Sequence, residues 1–221
     1  MFGPAHAMPL LTNGDFSNGI TGWTSYVTSP GGNITDPPNS PGSTTIPQIA
    51  TTRSFDVTGS GASSALFLNA GGTSFGLGQQ GGGVSQTFTT GADGVVKFSA
   101  NIAAWTRQNS LSIGLLSVLL DGVVQNSYDF GNANGLPSPV TLRSTLGFTT
   151  NLAAGTHTIQ LQATRPFAPA SGVTNQYFDN VSLDGVATTP LPAALPMFIS
   201  GCGVITMMLR RKRKAAASLA A

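Results

Sequence analysis

Residues 94–125 read GVVKFSANIAAWTRQNSLSIGLLSVLLDGVVQ, and the fold class follows from them. Val96, Phe98, Ala100, Ile102 and Ala104 alternate with Lys97, Ser99, Asn101 and Ala103. A period of two sends successive side chains to opposite faces, so this is a half-buried strand. Residues 115–120 and Val123-Val124-Gln125 then flank Asp121-Gly122, a dipeptide that takes the positive dihedrals of a two-residue hairpin.

Working downstream, Leu142, Ser144, Leu146 and Phe148 alternate in the same way. Beyond a turn at residues 152–155, Ile159, Leu161 and Ala163 point inward, and Thr156, Thr158, Gln160, Gln162 and Thr164 are expected to face solvent. Residues 177–183 read as the last strand. Upstream, residues 65–68 form a short buried strand, and residues 71–83 read as a glycine-rich connection. Residues 29–64 are polar and proline-bearing, with room for short strands near 46–51 and 54–57. Residues 22–27 hold a strand after a glycine turn. No helical apolar stripe precedes residue 188. Roughly eight to ten strands in about 180 residues make an all-β sandwich or barrel.

The composition narrows function. Only 8% of residues are charged, Glu is absent, and Ser, Thr, Asn and Gln take the place of ionised surface groups. The net charge of +2 is uneven, because five of the ten cations are Arg210, Arg211, Lys212, Arg213 and Lys214. Upstream, five cations face eight Asp, a net −3, so no basic stripe for nucleic acid is expected. Cys202 is the only cysteine, which excludes an internal disulfide and a cysteine metal site. A glycosidase needs two carboxyl groups across a cleft, and the eight Asp are scattered, several in turns. His157 has no serine motif or second histidine near it in sequence, so it reads as a half-exposed strand residue. The chain is expected not to be an enzyme.

The two ends read differently from the body. Residues 191–209 carry no charge and run into the five cations. At ~1.5 Å per residue that run spans about 28 Å, close to a bilayer's hydrocarbon core. A single transmembrane α-helix is expected at 195–209, its basic tail 210–214 held in the cytoplasm. At the other end, Ala5-His6-Ala7 has the small-x-small form of a signal-peptidase site, so residues 1–9 read as the remnant of a leader.

Pro190, Leu191, Pro192 and Ala193, the apolar run with Ser200-Gly201, and the cations Arg210, Arg211, Lys212, Arg213 and Lys214 together resemble a PEP-CTERM sorting signal of the Val-Pro-Leu-Pro-Ala variant. Thr189 stands where that variant carries Val. The resemblance implies a Gram-negative exported protein held briefly in the inner membrane, with an exosortase-type membrane protease as partner. It places residues 187–221 in the signal and 10–186 in the exported domain. A second resemblance covers that domain. Asn13-Gly14-Asp15-Phe16 with Gly22-Trp23, Val84-Ser85-Gln86-Thr87-Phe88, and Tyr177-Phe178-Asp179-Asn180-Val181-Ser182-Leu183 resemble the galactose-binding-like jelly roll of carbohydrate-binding modules. It implies that the first and last strands meet.

Asp179 shares the parity of Val181 and Leu183, which places a carboxylate on the inner face. The jelly-roll resemblance implies one structural calcium there, with Asp15 contributing; a carboxylate held by strand-end N–H groups is the plainer alternative. Trp105, Arg107 and Phe167 are the candidate ligand platform, an aromatic flanked by amide and guanidinium groups at a sheet end. The expected function is association with extracellular polysaccharide, or else a structural matrix role, or a secreted glycan hydrolase.

Overall fold

The computed structural model describes residues 7–28, 33–34, 50–71, 79–107, 112–166 and 174–186. The strands are β1 (Ala7–Pro9), β2 (Thr24–Val27), β3 (Asn33–Ile34), β4 (Ala50–Phe55), β5 (Ser63–Leu68), β6 (Ala70–Gly71), β7 (Gln79–Thr90), β8 (Gly94–Thr106), β9 (Leu115–Leu120), β10 (Val123–Asp129), β11 (Val140–Leu152), β12 (Gly155–Pro166) and β13 (Thr174–Val186). One sheet runs β11-β8-β13-β5-β4, with β1 added on β13. The other runs β10-β9-β12-β7-β2, and β3 pairs β6 apart from both. From β7 onward the chain passes from sheet to sheet, except at the β9–β10 hairpin. Antiparallel strands dealt alternately to two facing sheets make the jelly-roll arrangement.

The alternation in β8 delivers what it promised. Val96, Phe98, Ala100, Ile102 and Ala104 are buried, and they meet Leu116, Val118, Ile159 and Leu161 of the facing sheet in one core. The ends of the domain also meet. Leu10 N donates to Leu183 O at 2.8 Å, Val181 N donates to Gly14 O at 2.9 Å, and β1 pairs β13. Gly14 is obligatory there, because a Cβ would stand 1.9 Å from Val181 O.

Two expectations need correction here. Residues 79–83 are not a connection but the first part of β7; a Cβ at Gly81 or Gly83 would strike the Ala163 or Leu161 carbonyl oxygen, so glycine is what lets this strand lie against β12. Thr164 is buried rather than solvent-facing. In the polar stretch, β4 overlaps both segments read as short strands. Among the described residues, Ala7–Pro9 pair with Asp184–Val186. The sorting residues 190–193 and 210–214, the helix 195–209 and Phe167 all lie outside the described residues.

Candidate functional site

Asp179 does not face the core that Val181 and Leu183 enter. The β13–β8 register shifts between Asp179 and Ser182, and Asn180 takes φ +51. This bulge reverses the parity of the strand. Phe178, Val181 and Leu183 therefore all enter the main core, while Tyr177 joins a second cluster with Ala65, Phe67 and Ala103 on the outer face of the first sheet. Asp179 is the register partner of Asn101, two residues from Ala103 on β8, so it belongs to that outer face. It is 2% exposed; its Oδ2 accepts from Ser63 Oγ at 2.5 Å and its Oδ1 from Asn180 N at 2.7 Å.

Asp15 is engaged elsewhere. Its Oδ1 accepts from Ser17 N at 3.2 Å and Ser17 Oγ at 3.0 Å, which holds its pKa below the usual carboxylate value. The two acids share no partner, and among the described residues no three acidic, histidine or cysteine side chains gather as a metal site. Ser63 Oγ and Asn180 N donate to the two Asp179 oxygens, the arrangement of the plainer alternative, a carboxylate held by protein donors. The organiser of the opening motif is Asn13: its Nδ2 donates to Gly19 O and Thr21 O, its Oδ1 accepts from Asn18 N, and its carbonyl accepts from Trp23 Nε1.

Trp105 and Arg107 do come together. The guanidinium carbon lies 5.3 Å from the indole centroid, and Trp105 is half-buried against the second cluster. One face of the ring is therefore already taken. His157 pairs through Nδ1 with Asp121 Oδ2 at 2.7 Å, and its Nε2 lies 3.0 Å from Ala153 O. The Asp121 bond, ahead of opposing burial, raises the histidine pKa. Burial would raise that of Asp121 but is outweighed by the bonds from His157 and Thr158 N.

The second sheet holds the feature that the sequence reading missed. Across its five strands the register places Tyr26, Gly83, Gln162, Ser117 and Ser127 in one row. The next row on the inner side, Val84, Leu161 and Val118, belongs to the core, so the first row faces outward. Its middle is recessed: Ser117 and Thr164 are each only 3% exposed although they point away from the core. Gly81 and Gly83 supply no side chains to this face. The result is a groove of about 530 Å³ lined by Thr28, Leu115, Ser117, Val124, Ser127, Gln162 and Thr164. No lining side chain is ionisable. At one border Tyr26 donates its hydroxyl to Gln162 Oε1 at 3.3 Å, and burial raises the phenol pKa. The available signal was a glycine tract opposite a Gln/Thr-alternating strand, read above as a loop opposite a solvated face.

A scan against protein-family models finds no match, and a search of curated proteins finds none. Among solved structures, the chain is similar to the enzymatically active domain of bacteriophage CBA120 tailspike protein 4, with TM-score 0.43 and 18% identity over 80% of this chain. It spans 21% of that tailspike chain. It is similar to an apo-form cyclase from Fischerella sp., with TM-score 0.42 and 15% identity over 83% of this chain and 98% of that one. It is also similar to TmCBM61 in complex with beta-1,4-galactotriose, with TM-score 0.35 and 10% identity over 80% of this chain and 97% of that one. All three are distant likenesses.

Proposed function

We propose that this domain is a non-catalytic glycan-binding module of an exported surface protein, holding neutral polysaccharide in the groove of the second sheet. The observation that carries the reading is the pair of recessed hydroxyls, Ser117 and Thr164, beside Gln162, hydroxyl and amide groups in a groove whose described lining carries no charge. Sugar hydroxyls both donate and accept, and these side chains do the same. Leu115 and Val124 give the apolar C–H faces of a sugar something to rest on. Among the described residues the groove offers no general acid or base to a bound glycan, which favours binding over hydrolysis. Export and exosortase sorting through residues 187–221 belong to the same proposal.

Binding is tested by affinity electrophoresis through gels containing neutral glucans, mannans and galactans. At least one should retard the protein, and Gln162→Ala should weaken that retardation about tenfold, near 1.4 kcal/mol. Absence of retardation by every neutral glycan would refute the groove reading. Intact mass of the protein recovered outside the cell tests sorting, with loss of the C-terminal segment expected.

A further inference from the structure

Tyr26 and Gln162 stand on strands that are not neighbours in the second sheet. Tyr26 is the register partner of Gly83 on β7, and Gly83 is the partner of Gln162 on β12. Two strand steps put the Tyr26 and Gln162 backbones about 10 Å apart. Their side chains meet all the same, the phenol donating to Gln162 Oε1 at 3.3 Å. A reach of that kind takes the tyrosine ring over the intervening strand, and Gly83 has no side chain to stop it. Glycine is already required at 83 by the close approach of β7 to β12, and the crossing of Tyr26 uses the same gap.

That contact sorts the two ends of the Gln162 amide. Its oxygen only accepts, and its NH2 group only donates. With Oε1 taken on the β2 side, Nε2 is the end left for the groove, which Gln162 lines beside its register partner Ser117. The hydroxyls of Ser117 and Thr164 can rotate to give or to take a hydrogen bond, whereas the held amide can only give one. Burial raises the Tyr26 pKa, so the phenol keeps the proton that it donates. Leu115 and Val124 add apolar surface to the same groove, and Val124 is 53% exposed.

We propose that Tyr26, by fixing the Gln162 amide, makes the groove selective for acetylated neutral polysaccharide; this rests on the groove being the glycan site. An acetyl carbonyl oxygen accepts and cannot donate, which matches a fixed NH2 group. A sugar hydroxyl does both, so it gains nothing from the fixed orientation. The acetyl methyl group finds apolar contact at Leu115 and Val124. Ester and amide acetyls share this carbonyl and methyl, and neither brings a charge into the uncharged lining. Tyr26 is then a positioning residue, acting on the ligand through Gln162.

The test uses the full chain in non-ionic detergent and two matched pairs of neutral probes. One pair is acetylated glucomannan and the same polymer after mild alkaline deacetylation. The other is chitohexaose and cellohexaose, which share a backbone linkage with and without acetamido groups. The acetylated member of at least one pair should bind about fivefold tighter, the worth of one hydrogen bond; which pair shows it separates ester from amide acetyls. Tyr26→Phe keeps a ring over Gly83 and removes the donor, so it should weaken acetylated more than bare probe and erase the preference. A role in packing alone would weaken both members alike. Gln162→Glu puts acceptor oxygens where the donor was, and should erase the preference independently of how Tyr26→Phe folds. Equal binding of both members by the wild type, or a preference that survives both variants, would overturn the proposal and leave the groove reading standing. Binding of no neutral polymer at all would overturn both.

Discussion

Gly83→Ala tests the physical basis of the groove. The new Cβ would lie 1.7 Å from Leu161 O, 2.8 Å from Leu161 C and 3.0 Å from Gln162 Cα, all main-chain atoms. No side chain can swing aside, so β7 must move off β12 or twist. Forced overpacking costs roughly 1–3 kcal/mol, and loss of one or two ladder hydrogen bonds adds about 1 kcal/mol each. A total near ~3–4 kcal/mol is a large part of the usual ~5–15 kcal/mol of a domain. For a chain of this size it corresponds to a fall of roughly 6–16 °C in melting temperature. Urea unfolding and thermal melts measure it, with Gly91→Ala as control, since nothing lies within 4 Å of a Cβ there. The control should change stability by less than about 1 kcal/mol. If Gly83→Ala matched the control, the close approach of β7 to β12 would be wrong, and with it the bare floor of the groove.

Other outcomes follow from single contacts. His157 has a raised pKa in the fold, so its contribution is complete below the ordinary histidine value of about 6.5 and is lost as pH rises through the folded value. Asp121 is lowered, so its share appears above the ordinary ~3.9 and is lost as pH falls through its folded value. The melting temperature of wild type minus that of His157→Gln should thus be largest between about pH 4 and 6.5; a flat difference would refute the pairing. Asp179→Ala removes the acceptor of Ser63 Oγ and Asn180 N at a buried position and should cost about 1–3 kcal/mol in urea unfolding. EDTA should leave the melting temperature unchanged, because the Asp179 oxygens already accept from protein donors; a fall reversed by calcium would instead favour the metal reading.

How much was legible depended on whether the signal was local. Period-two alternation at Val96–Ala104 and the Asp121-Gly122 turn depend on neighbours in sequence, and both appear as read. The meeting of the Asn13-Gly14 motif with Val181 was legible through the family resemblance. The outward facing of Asp179 was not, because parity counting assumes an unbroken strand and the bulge inserts one residue between Phe178 and Val181. The sequence does contain a hint, since core positions Phe178, Val181 and Leu183 have spacings of three and two. A strict alternation cannot bury all three. The groove was invisible for a different reason: Tyr26, Gly83, Gln162, Ser117 and Ser127 come from five strands, and only register brings them into one row.

The composition and the two outer faces are connected. A jelly roll with one core leaves both outer faces to solvent, and most such surfaces are kept soluble by mixed charge. Here Arg53, Lys97 and Arg143 stand on strands of the first sheet, where Phe55, Phe67, Trp105 and Tyr177 cover the outer face as a second apolar layer, while Arg165 of β12 is buried. Arginine suits that place, because its stem and flat guanidinium lie well on aromatic surface. Among the described residues no second buried apolar cluster covers the outer face of the other sheet, so hydroxyls and amides suffice to keep that face wet. Charging it would fill the recess with long side chains. Glycine in β7 and Ser, Thr and Gln in β9 and β12 leave it open, which ties the scarcity of charge to the groove itself.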